Sequence, residues 1–503
     1  MDGGNDHDMA SPAKRHTTLV PVHIEVRVLQ QATARFDTIR NAVHSYITSS
    51  FSHIYLPSTL QGWEDVPLLA QSVDRIVSSE STTSSSSVPI DDAALQIHVY
   101  QPNDSDAFEE LASGSGRGDG EEVTAASVCE LPSLGWEGLW ESLIYAEDVK
   151  SKLLDYIYAT VIFSDADVDF NIVSWNRLVL LHGPPGTGKT SLCRALAQKL
   201  SIRLSDRYPG ARLLEINSHS LFSRWFSESG KLVQRLFSTV NDMVEDEETF
   251  VIVLIDEVES LTAARAGAMA GTEPSDALRV VNALLTQLDK LKRRKNVLVM
   301  ATSNLPKAID TAFVDRADII QYIDLPPREA IYEILRTCLV ELMSKGVVSN
   351  LEVPNFTQAQ LYERTAGSTN FPGGVEPNLA AFADQSLTLT FSERPSQRNG
   401  DAHGDESRER AQHAALRLLI LAQKCRAQGM SGRSLRRLPV LAQARHMGML
   451  ATLPPRSSSL RNGQSVREKH TPQVGAGAQV ETWLDAMEHV VDAHATQKER
   501  LAQ

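Results

Sequence analysis

The sequence predicts an α/β core, a parallel sheet flanked by helices, with a small α+β domain before it and a helical lid after it. Three observations carry that expectation. Residues 183–190 read GPPGTGKT and follow the apolar run 178–181, the order strand, glycine-rich loop, helix. Residues 251–255 are five consecutive aliphatics ending in Asp256-Glu257, as suits a strand covered on both faces of a parallel sheet. A third apolar run, 298–301, ends in Thr302-Ser303-Asn304.

The elements follow in chain order. Residues 1–18 are polar and read as a disordered leader. Residues 22–28 alternate strictly between apolar and polar, the pattern of a half-buried strand. Residues 37–48 have helical spacing, and 78–87 (SSESTTSSSS) form a low-complexity loop. Leu95, Ile97 and Val99 alternate again, so 19–104 make a small α+β domain. Residues 105–130, rich in Gly, Ser and acids as far as 126, read as a flexible linker. The α/β core spans 131–326. A lid, 327–503, opens with Ile331, Ile334, Leu335, Leu339 and Leu342 at helical spacing. Its polar stretches 392–412 and 452–478 read as disordered insertions. Its tail, with Val480, Leu484, Met487, Val490 and Val491, reads as an amphipathic helix.

The chemistry sits at the ends of the three runs. Gly183, Gly186 and Gly188 let the backbone curl so that its N–H groups face phosphate oxygens. Pro184, Pro185 and Thr187 complete the loop, and the helix N-terminus behind it adds partial positive charge. Lys189 would reach the β- and γ-phosphates, and Thr190 would offer a hydroxyl to Mg²⁺. Asp256 would hold the same Mg²⁺, directly or through water, while Glu257 orients and polarises the attacking water. ATP and Mg²⁺ are therefore the expected cofactors.

Spacing and flavour then resemble the AAA+ ATPases. On that resemblance residues 298–304 are similar to the sensor-1 strand, with Asn304 touching the γ-phosphate or the lytic water. AFVDRAD (312–318) is similar to the arginine-finger region, which would send Arg316 to a neighbouring subunit's nucleotide. SGRSLRR (431–437) is similar to sensor 2, which would turn Arg433 back on its own phosphates. Longer strings narrow the resemblance. EGLWESLIY (137–145), INSHSLFSRWFSESGKLV (216–233), LIDEVESLTAAR (254–265), AGTEPSDALRVVNALLTQLD (270–289), AFVDRADI (312–319) and GMSGRSLRRLPVLAQA (429–444) are similar to the pachytene checkpoint protein 2 family. The resemblance implies a homohexameric remodeller of HORMA-domain proteins, among them meiotic chromosome-axis proteins and spindle-checkpoint Mad2-like clients. An adaptor of HORMA fold would serve some of them. It also implies work in the nucleus, on chromosomes, with the cytoplasm as a second site.

Trp225-Phe226 stands in a polar stretch. Two large aromatics on a hydrophilic loop either pack into a small satellite core or grip something. In a ring ATPase this position is the first pore loop, where the pair would wedge against a threaded chain.

Composition sets limits. The 503 residues carry a net charge of −14, which opposes a DNA-tracking motor with a basic groove, so no direct nucleic-acid partner is expected. The basic cluster Lys292-Arg293-Arg294-Lys295 reads as a solvated turn, a nuclear signal or a charge on the pore rim. Cys129, Cys193, Cys338 and Cys425 have no zinc-site spacing and read as free thiols. The N-terminus lacks an apolar signal core, and no run approaches the ~20 apolar residues of a membrane span.

Overall fold

The computed structural model describes residues 19–81, 85–104, 109–112, 124–145, 148–218, 229–260, 276–305, 309, 311–368, 402–446 and 478–502. The leader, Trp225-Phe226 and most of the two polar stretches of the lid lie outside these residues.

The N-terminal domain is a four-stranded sheet with two helices. Strands β1 (Val20–Val28), β3 (Ser58–Leu60), β4 (Val73–Ser81) and β6 (Ala93–Tyr100) lie in the order β3-β4-β1-β6, and β2 (His53–Tyr55) pairs with β5 (Ser87–Pro89). Helices α1 (Phe36–Ser50) and α2 (Pro67–Ser72) belong to the same domain. Val22, Ile24, Val26 and Val28 point into its core with Ile39, Val43 and Ile47. The low-complexity run does not begin as a loop: residues 78–81 extend β4 along β1. Nor does β1 face water on its polar side. Glu25 is 8% exposed, because that side meets the next domain.

The predicted linker is a correction. Residues β7 (Glu109–Ala112) and β8 (Thr124–Leu131) are strands of the central sheet, with β8 antiparallel to β10 (Gly210–Asn217). Ala126 and Val128 fill one face and Cys129 and Leu131 the other, so a Gly-rich and acidic segment ends in a paired strand. The sheet is therefore mixed. Its order is β13-β9-β12-β11-β10-β8-β7, with β9 (Leu178–His182), β11 (Thr249–Asp256), β12 (Val297–Ser303) and β13 (Ile319–Tyr322) parallel to β10.

Period-two alternation assigns the two faces. Leu178, Leu180, Val251, Val253, Ile255, Val299 and Ala301 pack with one set of helices. Val179, Leu181, Ile252, Leu254, Leu298 and Met300 pack with the other. After the short α3 (Leu139–Ser142), helices α4 (Val149–Asp165) and α5 (Lys189–Arg203) cover the second face. Helices α6 (Ser229–Glu245) and α7 (Asp276–Leu291) cover the first. The short α8 (Thr311–Val314) precedes β13.

The lid comprises α9 (Arg328–Ser344), α10 (Phe356–Ser368), α11 (Ala402–Ala427), α12 (Gly432–His446) and α13 (Val480–Ala502). Ile331 and Leu335 of α9 meet Leu418 of α11, Leu435 of α12 and Trp483 of α13 in one core. Here too the sequence reading is corrected: α11 begins inside the stretch 392–412 taken as disordered. Its fully buried apolar stripe begins with Ala414, with Ala411 packed against the same core. Ala478, at the end of the second polar stretch, bridges to Val348.

One pair, buried His98 and half-buried His23, gives the fold a pH dependence. His23 and His98 stack with ring centroids 5.3 Å apart and share a 3.0 Å hydrogen bond. Burial, with the Arg203 guanidinium, pushes His23 down to about 3 and His98 to about 4. An unfolded imidazole takes its proton near 6.5, so below that pH the unfolded chain binds more protons than the folded one. Stability present above pH 6.5 is therefore lost as the pH falls toward 4. The melting temperature should drop between pH 7 and pH 5, and His23→Gln with His98→Gln should flatten the curve; an equally steep curve in that variant would remove the pair as its cause.

Candidate functional site

The phosphate loop joins β9 to α5, and its shape depends on missing side chains. Gly183 has φ 148°, and a Cβ there would lie 2.1 Å from the Ile323 carbonyl oxygen. Gly186 has φ 78°, and its Cβ would meet Ser431 Oγ at 2.7 Å. The loop is thus pressed between the end of β13 and the first turn of the lid helix α12. Gly188, the residue before α5, is left-handed as well. Lys189 Nζ donates to the carbonyls of Gly183 and Pro184 at 2.9 and 2.8 Å, and Thr187 Oγ1 donates to Pro184 O at 3.0 Å. Pro185 is exposed at the loop's tip. Burial lowers the pKa of Lys189, while Glu259 and Asp256 pull it the other way.

β11 brings the carboxylates to the loop. Val251 to Ile255 are fully buried, so their strand cannot shift without losing both faces. Asp256 Oδ1 accepts from Thr190 Oγ1 at 3.0 Å and from Thr302 Oγ1 of β12. The next residue is strained: Glu257 has φ 58°, a left-handed conformation that only its surroundings can maintain. Those surroundings are specific. The Glu257 N–H donates to Thr302 Oγ1 at 3.2 Å, and the Val258 N–H donates to Thr302 O at 2.9 Å. Buried Ser218 Oγ donates to the carbonyls of Asp256 and Glu257, each at 2.6 Å. The turn aims an exposed Glu257 side chain at Asn304, whose Nδ2 donates to Glu257 Oε1 at 3.3 Å.

Of the residues singled out in the sequence, the loop, Lys189, Thr190, Asp256, Glu257 and Asn304 converge at the C-terminal edge of the parallel strands, where open α/β sheets keep their ligands. Arg433 joins them from the lid: its N–H donates to Gly186 O at 3.2 Å. It borders a cavity of about 830 Å³ together with Gly186, Gly188, Tyr145, Met430 and Arg436. Arg316 is placed elsewhere. Asp289 at the end of α7 grips its guanidinium bidentately, Nε to Oδ1 at 3.1 Å and Nη2 to Oδ2 at 3.0 Å, and Nη1 donates to Ala312 O at 2.6 Å. Trp225 and Phe226 lie outside the described residues.

Four participants escaped the sequence reading. Thr302 and Ser218 hold the carboxylate turn, Tyr145 borders the cavity, and Glu259 accepts from the Asn304 N–H at 3.1 Å through Oε1. Glu259 was the most findable, being a third acid two positions beyond Glu257 on the same segment.

The arrangement fits a nucleoside triphosphate with a divalent cation. Backbone donors, Lys189 and Arg433 suit the phosphates, and the Thr190–Asp256 pair offers two hard oxygen ligands. The cavity between loop and lid is large enough for a base and ribose.

Comparison with known proteins gives the family. Three family models match: the TRIP13 N-terminal domain over residues 17–105, the ATPase family associated with various cellular activities (AAA) over 179–325, and the TRIP13-like AAA+ ATPase lid C-terminal domain over 378–454. A pachytene checkpoint protein 2 homolog of Danio rerio is 43% identical over 84% of this chain and 88% of its own. The Homo sapiens homolog is 43% identical over 84% of this chain and 87% of its own. Among solved structures, that of C. elegans PCH-2 superposes with a TM-score of 0.63 at 30% identity, covering 96% of this chain and 100% of the other.

Proposed function

The chain belongs to the pachytene checkpoint protein 2 family and is an AAA+ ATPase, and from that premise we propose that it couples ATP hydrolysis to the remodelling of HORMA-domain proteins. The observation that carries the proposal is the intact hydrolytic constellation, Lys189, Thr190, Asp256, Glu257 and Asn304, in a chain 43% identical to family members along most of its length.

Lys189, now on two loop carbonyls, would donate to the β- and γ-phosphates, and Thr190 with Asp256 would hold Mg²⁺. When bound, the cation neutralises developing charge on the phosphates. Glu257, fixed by its strained turn and by Asn304, polarises the lytic water. Arg433 closes the lid over the phosphates of its own chain. Arg316, presented on Asp289, acts on the nucleotide of the next subunit in a homohexameric ring. The N-terminal domain receives the client, directly or through an adaptor of HORMA fold. The setting is the nucleus, with neither nucleic acid nor membrane as a direct partner.

Within the ring, Trp225 and Phe226 grip the client chain in the central pore. Trp225→Ala should keep native melting, nucleotide binding and ring assembly, yet lose the acceleration of ATP turnover by a HORMA-domain protein and the client's conversion. A local core predicts otherwise: loss of a large buried aromatic costs about 3–5 kcal/mol, so melting and basal turnover would fall together. The assay that tests the whole reading is phosphate release with a HORMA-domain protein or with DNA added. Acceleration by the protein alone supports it, and acceleration by DNA alone overturns it. Full client conversion by Trp225→Ala would leave a nucleotide-gated scaffold as the better description.

A further inference from the structure

Helix α5 carries two sets of charges at opposite ends. Lys189 begins it at the phosphate loop, and Lys199 and Arg203 end it, 2% and 6% exposed. Cations that deep require partners, and their nearest partners come from the N-terminal domain. Lys199 Nζ lies 2.6 Å from Glu25 Oε1 of β1, and Arg203 Nη2 lies 2.9 Å from Glu80 Oε2 of β4. Arg203 Nε stands 3.5 Å from Glu25 Oε1. Ser79 Oγ donates to Glu25 Oε1 at 2.9 Å, and Trp140 Nε1 donates to Glu80 Oε1 at 2.6 Å. A second, more exposed ring surrounds this one: Arg27 and Arg75 both pair with Glu137, and Arg40 pairs with Asp206.

Glu25 is the hub of the inner set. Burial works to raise its pKa, yet Lys199 and Arg203 hold it down at about 2, so it stays an anion under any physiological condition. The contact is therefore an ion network between two domains, with Glu25, Lys199 and Arg203 desolvated and Glu80 at its more exposed edge. Such networks hold one geometry well and others badly, because any shift strands a buried charge.

The helix transmits position. Leu192, Cys193 and every residue from Ala195 to Arg203 are buried, so α5 moves as a rod, about 21 Å long at 1.5 Å per residue. A displacement at one end appears at the other.

We infer that Glu25 is a positioning residue for the ATPase site: the N-terminal domain, seated through Glu25, Lys199, Arg203 and Glu80, fixes where α5 and hence Lys189 stand, so docking of that domain and binding of nucleotide favour each other. This goes beyond the client-receiving role of the N-terminal domain. It holds whatever the client is. Linkage then demands symmetry: the factor by which docking tightens nucleotide binding is the factor by which nucleotide tightens docking.

The test uses the full chain. Glu25→Gln should weaken binding of a fluorescent ATP analogue about fivefold or more, the lower end of ordinary coupling, while the single-turnover rate at saturating ATP stays near that of the unaltered chain. Glu25→Asp should recover most of the loss. Hydrogen exchange supplies the reciprocal reading: ATPγS should slow exchange in residues 20–28 and 199–203 of the unaltered chain and not of Glu25→Gln. Should Glu25→Gln fail to fold, Glu80→Gln, on the more exposed carboxylate, takes its place with a smaller shift in the same direction. Unchanged analogue affinity in a folded variant whose residues 20–28 exchange faster would overturn the inference, as would ATPγS leaving both segments unaffected.

Discussion

Glu257→Gln binds ATP as well as the unaltered chain and hydrolyses it about 10²–10⁴-fold more slowly. The amide fills the same space, and Asn304 can still meet its carbonyl oxygen, so the geometry of the turn survives. What is lost is a base able to polarise water. The backbone argument supports separating the two effects: Glu257 is fixed by N–H and carbonyl contacts to Thr302 and Ser218, none of which uses its side chain. Binding rests on other residues, so Lys189→Ala should weaken nucleotide affinity itself. Phosphate-release kinetics beside a binding titration check both. Near-native turnover by Glu257→Gln would remove the residue from catalysis and leave Glu259, the neighbouring carboxylate, as the next candidate.

What could be read from the chain alone follows from how local each signal is. The loop glycines, the aliphatic run 251–255 and its two acids are contiguous, and contiguity fixes their mutual placement once a strand and a helix are granted. Thr302, in β12, and Ser218, just past the end of β10, act on the same turn from 45 and 38 positions away in sequence, and only the order of the sheet brings them there. The strand β8 was hidden because its pairing with β10 is non-local and its flanks are polar. Glu25 was hidden for a different reason. Alternation in β1 announces one buried face, and it cannot tell a face turned to solvent from one turned to a second domain carrying the opposite charges.

Arg316→Ala should abolish hydrolysis, by roughly the 10³–10⁵ that such a residue contributes in phosphoryl transfer, and spare nucleotide affinity. The reason lies in where the guanidinium sits. Asp289 holds it in a bidentate grip beside α8, away from the contacts that Lys189 and Arg433 make with the chain's own loop. A residue so placed has no part in seating its own nucleotide, so its loss should not alter binding. The sequence offers no second arginine beside it, since Asp315 precedes it and Ala317 follows, so the proposed action across subunits would rest on one side chain. The contacts also limit its motion: Asp289 takes two donors of the rigid guanidinium plane and the Ala312 carbonyl takes a third. Asp289→Ala should therefore lower turnover less than Arg316→Ala does, again without weakening binding, because the arginine remains and only its aim is lost. Mixing decides whether the action is across subunits. Arg316→Ala subunits keep a working phosphate loop, and Lys189→Ala subunits keep a working finger, so a mixed ring contains some complete sites. Recovery of phosphate release on mixing two inactive preparations is the expected result. Two preparations that stay inactive together, after forming rings that demonstrably exchange subunits, would place Arg316 outside the reaction of its neighbour.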